Sequence, residues 1–69
     1  MDSEKAVRLD DYSATVSYVG YAAVGVTGSE AFWKIKRMTT SGTVLTIEWA
    51  DGNEEYDNIW NNRVALTYV

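Results

Sequence analysis

The chain has 69 residues, 46% of them hydrophobic and 13% aromatic, with ten acidic against six basic side chains and a formal charge of −4. That length leaves room for one domain, spanning 1–69, and one small core. The absence of Cys and His excludes disulfides, thiolate chemistry, the usual zinc sites and the commonest general base.

The acidic balance argues against gripping nucleic acid through its phosphates. No apolar run approaches the roughly 18 residues of a membrane-spanning helix. The start Met1-Asp2-Ser3-Glu4 has neither the positive nor the apolar region of a signal peptide, which predicts a soluble chain made in the cytoplasm. A chain this short buries only about 60% of the surface its unfolded form exposes, so a partner that covers more apolar area is expected. Three Trp, five Tyr and one Phe supply large apolar area at few rotatable bonds.

Residues 1–12 read as an N-terminal arm or a short strand, because Val7 and Leu9 share one face while Arg8 and Asp10 share the other. From Ala14 to Val24 the β-branched and aromatic content predicts a strand, with Val16 and Tyr18 on one face and Val19 and Tyr21 on the other. Gly20 inside that run marks a bulge, a bend or a close approach by another backbone or ring. Gly25 to Glu30 concentrates turn formers, and its Gly25-Val26-Thr27-Gly28 has the GxxG form of a nucleotide clamp but lies between strands, so it reads as a loop. Phe32 to Thr40 alternates, with Trp33 and Ile35 facing opposite to Lys34 and Lys36.

Ser41-Gly42 is a short turn, and Thr43 to Ala50 alternates with Leu45, Ile47 and Trp49 on one face and Val44, Thr46 and Glu48 on the other, so the two segments form a hairpin. Asp51-Gly52-Asn53 ends that strand in a turn. Tyr56, Ile59 and Trp60 fill one short helical or extended turn before Asn61-Asn62, and Arg63 to Val69 reads as a last strand with Val64, Leu66 and Tyr68 alternating against Ala65 and Thr67. The fold class is all-β, a small antiparallel sandwich or partly open barrel of four to five short strands.

Candidate sites are few. Asp51, Asn53, Glu55 and Asp57 alternate oxygen ligands as a calcium loop does, but Gly52 stands second where such a loop needs glycine sixth, and Asn62 stands where it needs its last acid. A solvated acidic turn is the plainer reading. Lys34, Lys36 and Arg37 beside Trp33 have the pattern of a single-strand nucleic-acid platform, and equally that of an exposed strand paired with Glu48. Glu48, Asp51, Glu54, Glu55 and Asp57 could serve glycoside chemistry only in a deep cleft, which so short a chain rarely encloses. No catalytic residue, cofactor or metal is assigned, and the chain is read as a non-enzyme. Trp49, Tyr56 and Trp60 beside Asp51 and Asn53 could instead stack on a sugar.

The string Ile47-Glu48-Trp49-Ala50-Asp51-Gly52-Asn53, followed by Tyr56-Asp57-Asn58-Ile59-Trp60, Arg63 and Leu66-Thr67-Tyr68, resembles a family of very short tailed-bacteriophage proteins. The likeness extends back through Trp33-Lys34-Ile35-Lys36-Arg37, Gly25, Ala22-Ala23 and Tyr18-Val19-Gly20, and so covers Tyr18 to Val69. It implies a virion or assembly role and brings no catalytic residues. The expected function is a phage structural or interaction module, a homo-oligomer or a partner of other phage structural proteins, binding through strand edges and the aromatics Tyr21, Trp49, Tyr56, Trp60 and Tyr68. The resemblance places it in the virion; without it the chain belongs in the host cytoplasm. The alternatives are a phage-encoded inhibitor that binds a host protein through an acidic face, and a glycan-binding module.

Overall fold

The computed structural model describes residues 5–69. They form one antiparallel sheet in the order β1 (Lys5–Asp10), β2 (Val16–Ala23), β3 (Lys34–Ser41) and β4 (Val44–Trp49). The all-β antiparallel expectation holds. The sheet is a simple meander whose end strands β1 and β4 do not meet, so it is not closed into a barrel.

Local chemistry sets the turns. Ser41 pairs with Val44 across a two-residue loop in which Gly42 has φ +62°. That left-handed first position suits the twist of a hairpin and is open to glycine without steric cost. After β4, Asp51 and Gly52 both take positive φ (60° and 70°), which ends the strand in a turn.

The second layer is not a sheet. Residues 50–69 fold back across one face of the meander through turns and a 3₁₀ turn at Trp60–Asn62. The expected strand from Arg63 to Val69 is therefore corrected. Ala65 N–H bonds Asn62 C=O in a turn, Val64 is exposed, and only the chain end reaches β4, where Tyr68 bridges Ala50 and Val69 exchanges bonds with Trp49. Leu66 and Tyr68 do share a side, as alternation requires, but they use it to pack on the sheet rather than to extend it.

The core lies between these layers: Tyr18, Ala22, Trp33, Ile35, Ala50, Trp60 and Tyr68, with Ala6, Val16, Val26 and Leu66 packed at its border. Trp33 and Trp60 stand with ring centroids 5.7 Å apart, as do Tyr18 and Tyr68. Two of these rings are also tied by their polar atoms: Trp33 Nε1–H donates to Thr27 C=O at 2.9 Å and the Tyr68 hydroxyl to Arg63 C=O at 2.7 Å. Gly20 explains how two indoles fit over a sheet. A Cβ there would lie 2.5 Å from Trp60 Cε3 and 3.0 Å from Trp33 Cε3, so only glycine leaves the rings room to sit on the strand.

Candidate interaction face

The registers fix what each face of the sheet carries. Lys5, Val7 and Leu9 of β1 stand across from Ala23, Tyr21 and Val19 of β2. Tyr21 and Val19 in turn face Lys34 and Lys36 of β3, and Lys36 faces Trp49 and Met38 faces Ile47 of β4. Because side chains alternate, these residues and Leu45 share the face opposite the core.

The rims of that face are open, while its middle is half-buried and Tyr56 reaches it from the segment after β4. Val7 is 58% exposed, Leu9 67%, Leu45 56% and Ile47 49%, while Ile35 on the other side of the same sheet is 1% exposed. Val19, between Leu9 and Lys36 in the middle of this face, is 8% exposed. The face has no pocket, so what it offers is a flat surface rather than a cleft.

Basic residues are sorted between the two sides. All three arginines lie on the core side and each stacks on a ring: Arg8 over Trp33 at 5.0 Å, Arg37 over Tyr68 at 4.9 Å and Arg63 over Trp60 at 4.6 Å. Two also hold carboxylates, Arg37 with Glu48 at 2.7 Å and Arg63 with Asp10 at 2.9 Å. A planar guanidinium can stack and bond an acid at once, which suits it to this half-buried seam.

All three lysines belong to the open side. Lys34 Nζ stands 5.4, 5.3 and 5.1 Å from the ring centres of Tyr21, Trp49 and Tyr56, Lys36 5.5 and 5.7 Å from Tyr21 and Trp49, and Lys5 4.8 Å from Tyr56. No strand residue on this face is acidic. Among the described residues no lysine has a carboxylate within ion-pair distance, and Glu48 pairs with Arg37 instead of the lysines.

Of the aromatics expected to meet a partner, Tyr21, Trp49 and Tyr56 gather here. Trp60 and Tyr68 do not: they are 5% and 8% exposed in the core, and their expected exposure is corrected. Each lies next to a chain reversal, a position from which alternation cannot tell a core ring from a surface one. Burial pushes the Tyr68 phenol well above the usual tyrosine range, with Tyr18 nearby adding to the rise. Since Trp60 lies under the sheet, the sugar platform of Trp49, Tyr56 and Trp60 is not assembled.

The acidic turn is exposed throughout, and Asn53 Oδ1 accepts from Glu55 N–H at 2.9 Å, a local turn-stabilising bond. Among the described residues no group of three or more acidic side chains stands close enough together to hold a metal. Sequence reasoning missed Val7, Leu9, Leu45 and Ile47 as site residues. The signal was present in their alternation, but which face is wet depends on where residues 50–69 fold.

Comparison of the chain with protein-family models, with curated proteins and with solved structures gives no match in any of the three.

Proposed function

We propose that this chain is a non-catalytic assembly module that docks on further copies of itself through the open face of its sheet. The observation that carries the reading is that Val7 and Leu9 on β1 and Leu45 and Ile47 on β4 are about half or more exposed on the face away from the core, whereas Ile35 on the core side is buried. Burying such a side chain is favourable by about 1.5–3 kcal/mol, so a surface that keeps four of them wet gains by association.

Charge selects a second copy as the occupant. The face presents Lys5, Lys34 and Lys36 and no carboxylate, while the chain as a whole carries −4 and exposes Asp51, Glu54, Glu55 and Asp57 in one turn. Another copy supplies, in its acidic turn, the carboxylates that these lysines lack. The resemblance to short tailed-phage proteins supports placing the assembly in a virion, where a repeated subunit contact is the common need.

Light scattering of the purified chain across a concentration series tests the reading. Association that weakens at high salt is the expected result; a monomer at every concentration overturns it. Purified particles of the encoding phage should also contain the chain at a fixed copy number, and its absence from them would remove the virion assignment.

A further inference from the structure

We infer that Tyr56 is a latch: its ring holds the acidic segment 51–57 against the lysine end of the open face, and a second copy docks there only when that segment swings away. The inference rests on the assembly reading above and names how that same face is regulated.

The segment is looped out of the sheet. Ala50 N–H donates to Ile35 C=O at 2.9 Å, while Asn58 and Trp33 exchange backbone bonds at 3.0 and 2.9 Å. Ile35 and Trp33 are two residues apart, whereas Ala50 and Asn58 are eight apart, so residues 51–57 have no place beside β3 and are exposed throughout. The start of the loop is pinned by Asp51 N–H to Thr67 C=O at 2.8 Å and Gly52 N–H to Trp49 C=O at 3.0 Å. Further along, Glu55 N–H bonds Asn53 Oδ1, a bond within the loop that ties it to nothing else.

The ring of Tyr56 supplies the tie to the sheet. Lys5 Nζ stands 4.8 Å and Lys34 Nζ 5.1 Å from its centre, so one ring of the loop meets a cation from β1 and another from β3. Lys34 does not depend on that ring for its own place. Tyr21 and Trp49 on the flanking strands hold the same ammonium at 5.4 and 5.3 Å, and hold Lys36 at 5.5 and 5.7 Å. Release of the loop therefore leaves Lys34 and Lys36 on the face and takes one ring away from them.

The acids and lysines of one copy lie near each other without pairing. Glu55 and Asp57 flank the ring, yet among the described residues no carboxylate lies within ion-pair distance of a lysine. A swung-out loop changes both sides at once: Lys5 and Lys34 lose the ring set against them, and the loop's carboxylates gain reach to the lysines of a second copy. The latched loop and the docked copy compete for the same ammonium groups, so apparent affinity falls with the fraction of chains that are latched. An exposed cation–π contact is worth a factor of roughly 2–5, so the two together favour the latched loop on the order of tenfold.

A glutamate-specific protease reads the latch on the single chain, and light scattering reads its effect on assembly. In Tyr56→Ala, with circular dichroism unchanged, cleavage after Glu54 and Glu55 at low concentration should run about tenfold faster, and association should tighten by up to about tenfold. Tyr56→Phe keeps a ring for both cations and should match the wild type in both measurements. Lys34→Met should speed cleavage but weaken association, because it removes a latch partner and a docking group together. Cleavage of Tyr56→Ala at the wild-type rate overturns the latch. Faster cleavage with unchanged or weaker association overturns the competition and leaves docking by the open face standing. Wild type and Tyr56→Ala that are both monomeric throughout overturn this inference and the assembly reading together.

Discussion

Ile35 and Ile47 are the same residue on neighbouring strands, yet one is 1% exposed in the core cluster with Trp33 and Trp60 and the other 49% exposed on the far face of the same sheet. The covered face spends its rings, its arginines and its one intra-strand glycine on closing against residues 50–69. The open face keeps lysines among rings and leaves aliphatic side chains in water. A sheet of four strands needs only one covered face to hold itself together. What the other face is made of is then free to answer to a partner, and here it is neither polar enough to be an ordinary solvent face nor covered.

The contrast breaks most violently at the indole pair. Trp60→Ala empties the second layer of its largest side chain and should lose about 3–5 kcal/mol. A domain this small rarely has more than that in total, so the variant should lose its near-ultraviolet circular dichroism without any denaturant. Gly20→Ala should come next, about 3 kcal/mol, because the added Cβ meets two buried rings at 2.5–3.0 Å and one or both must shift. A cooperative urea transition at the wild-type midpoint for either variant would show that the second layer does not close over the sheet in this way.

Much of the sheet was legible from residue order. The faces of β2, β3 and β4 follow from alternation, the Gly42 and Asp51-Gly52 turns from their residue types, and Gly20 announces a ring packed on the strand. What alternation cannot supply is which face is covered. β4 makes the difficulty concrete: Leu45, Ile47 and Trp49 are more apolar than Val44, Thr46 and Glu48, yet the more apolar set is the open one. The same gap placed Trp60 and Tyr68 among the interaction residues, since both depend on how an irregular tail folds back. The lysine–ring cluster was half legible. Lys34 and Lys36 alternate visibly against Trp33 and Ile35, but Tyr21 and Trp49 join them only through the strand register.

The paired isoleucines give the comparison a number. Ile35→Ala should cost about 3 kcal/mol in a urea melt and Ile47→Ala below about 1 kcal/mol, since only the first leaves a cavity. Equal losses would mean that Ile47 is packed in solution by something other than the single chain, which concentration dependence of the melt would reveal.

Tyr68→Phe probes the covered face more gently, removing the bond to Arg63 C=O at about 1 kcal/mol while keeping the ring. Its pH dependence has a definite sign. The folded phenol ionises above its unfolded value of about 10, so its contribution is complete below pH 10 and is lost as pH rises beyond that, where only the unfolded chain gives up the proton readily. The wild type should therefore lose stability more steeply than Tyr68→Phe above about pH 10, and parallel curves would mean that the hydroxyl is not held in the core.

The smallest effect on folding belongs to Leu9→Thr, on the edge strand β1. Leu9 is 67% exposed, and threonine suits a strand, so the stability of the single chain should change by no more than about 0.5 kcal/mol. If a second copy seats on this face, the lost apolar area should weaken association about tenfold, which is about 1.4 kcal/mol of burial. A large stability change with unaltered association would mean that Leu9 serves the fold and the face has no occupant. A change confined to association would show that the residues a single chain leaves in water are the ones through which it is held to the next.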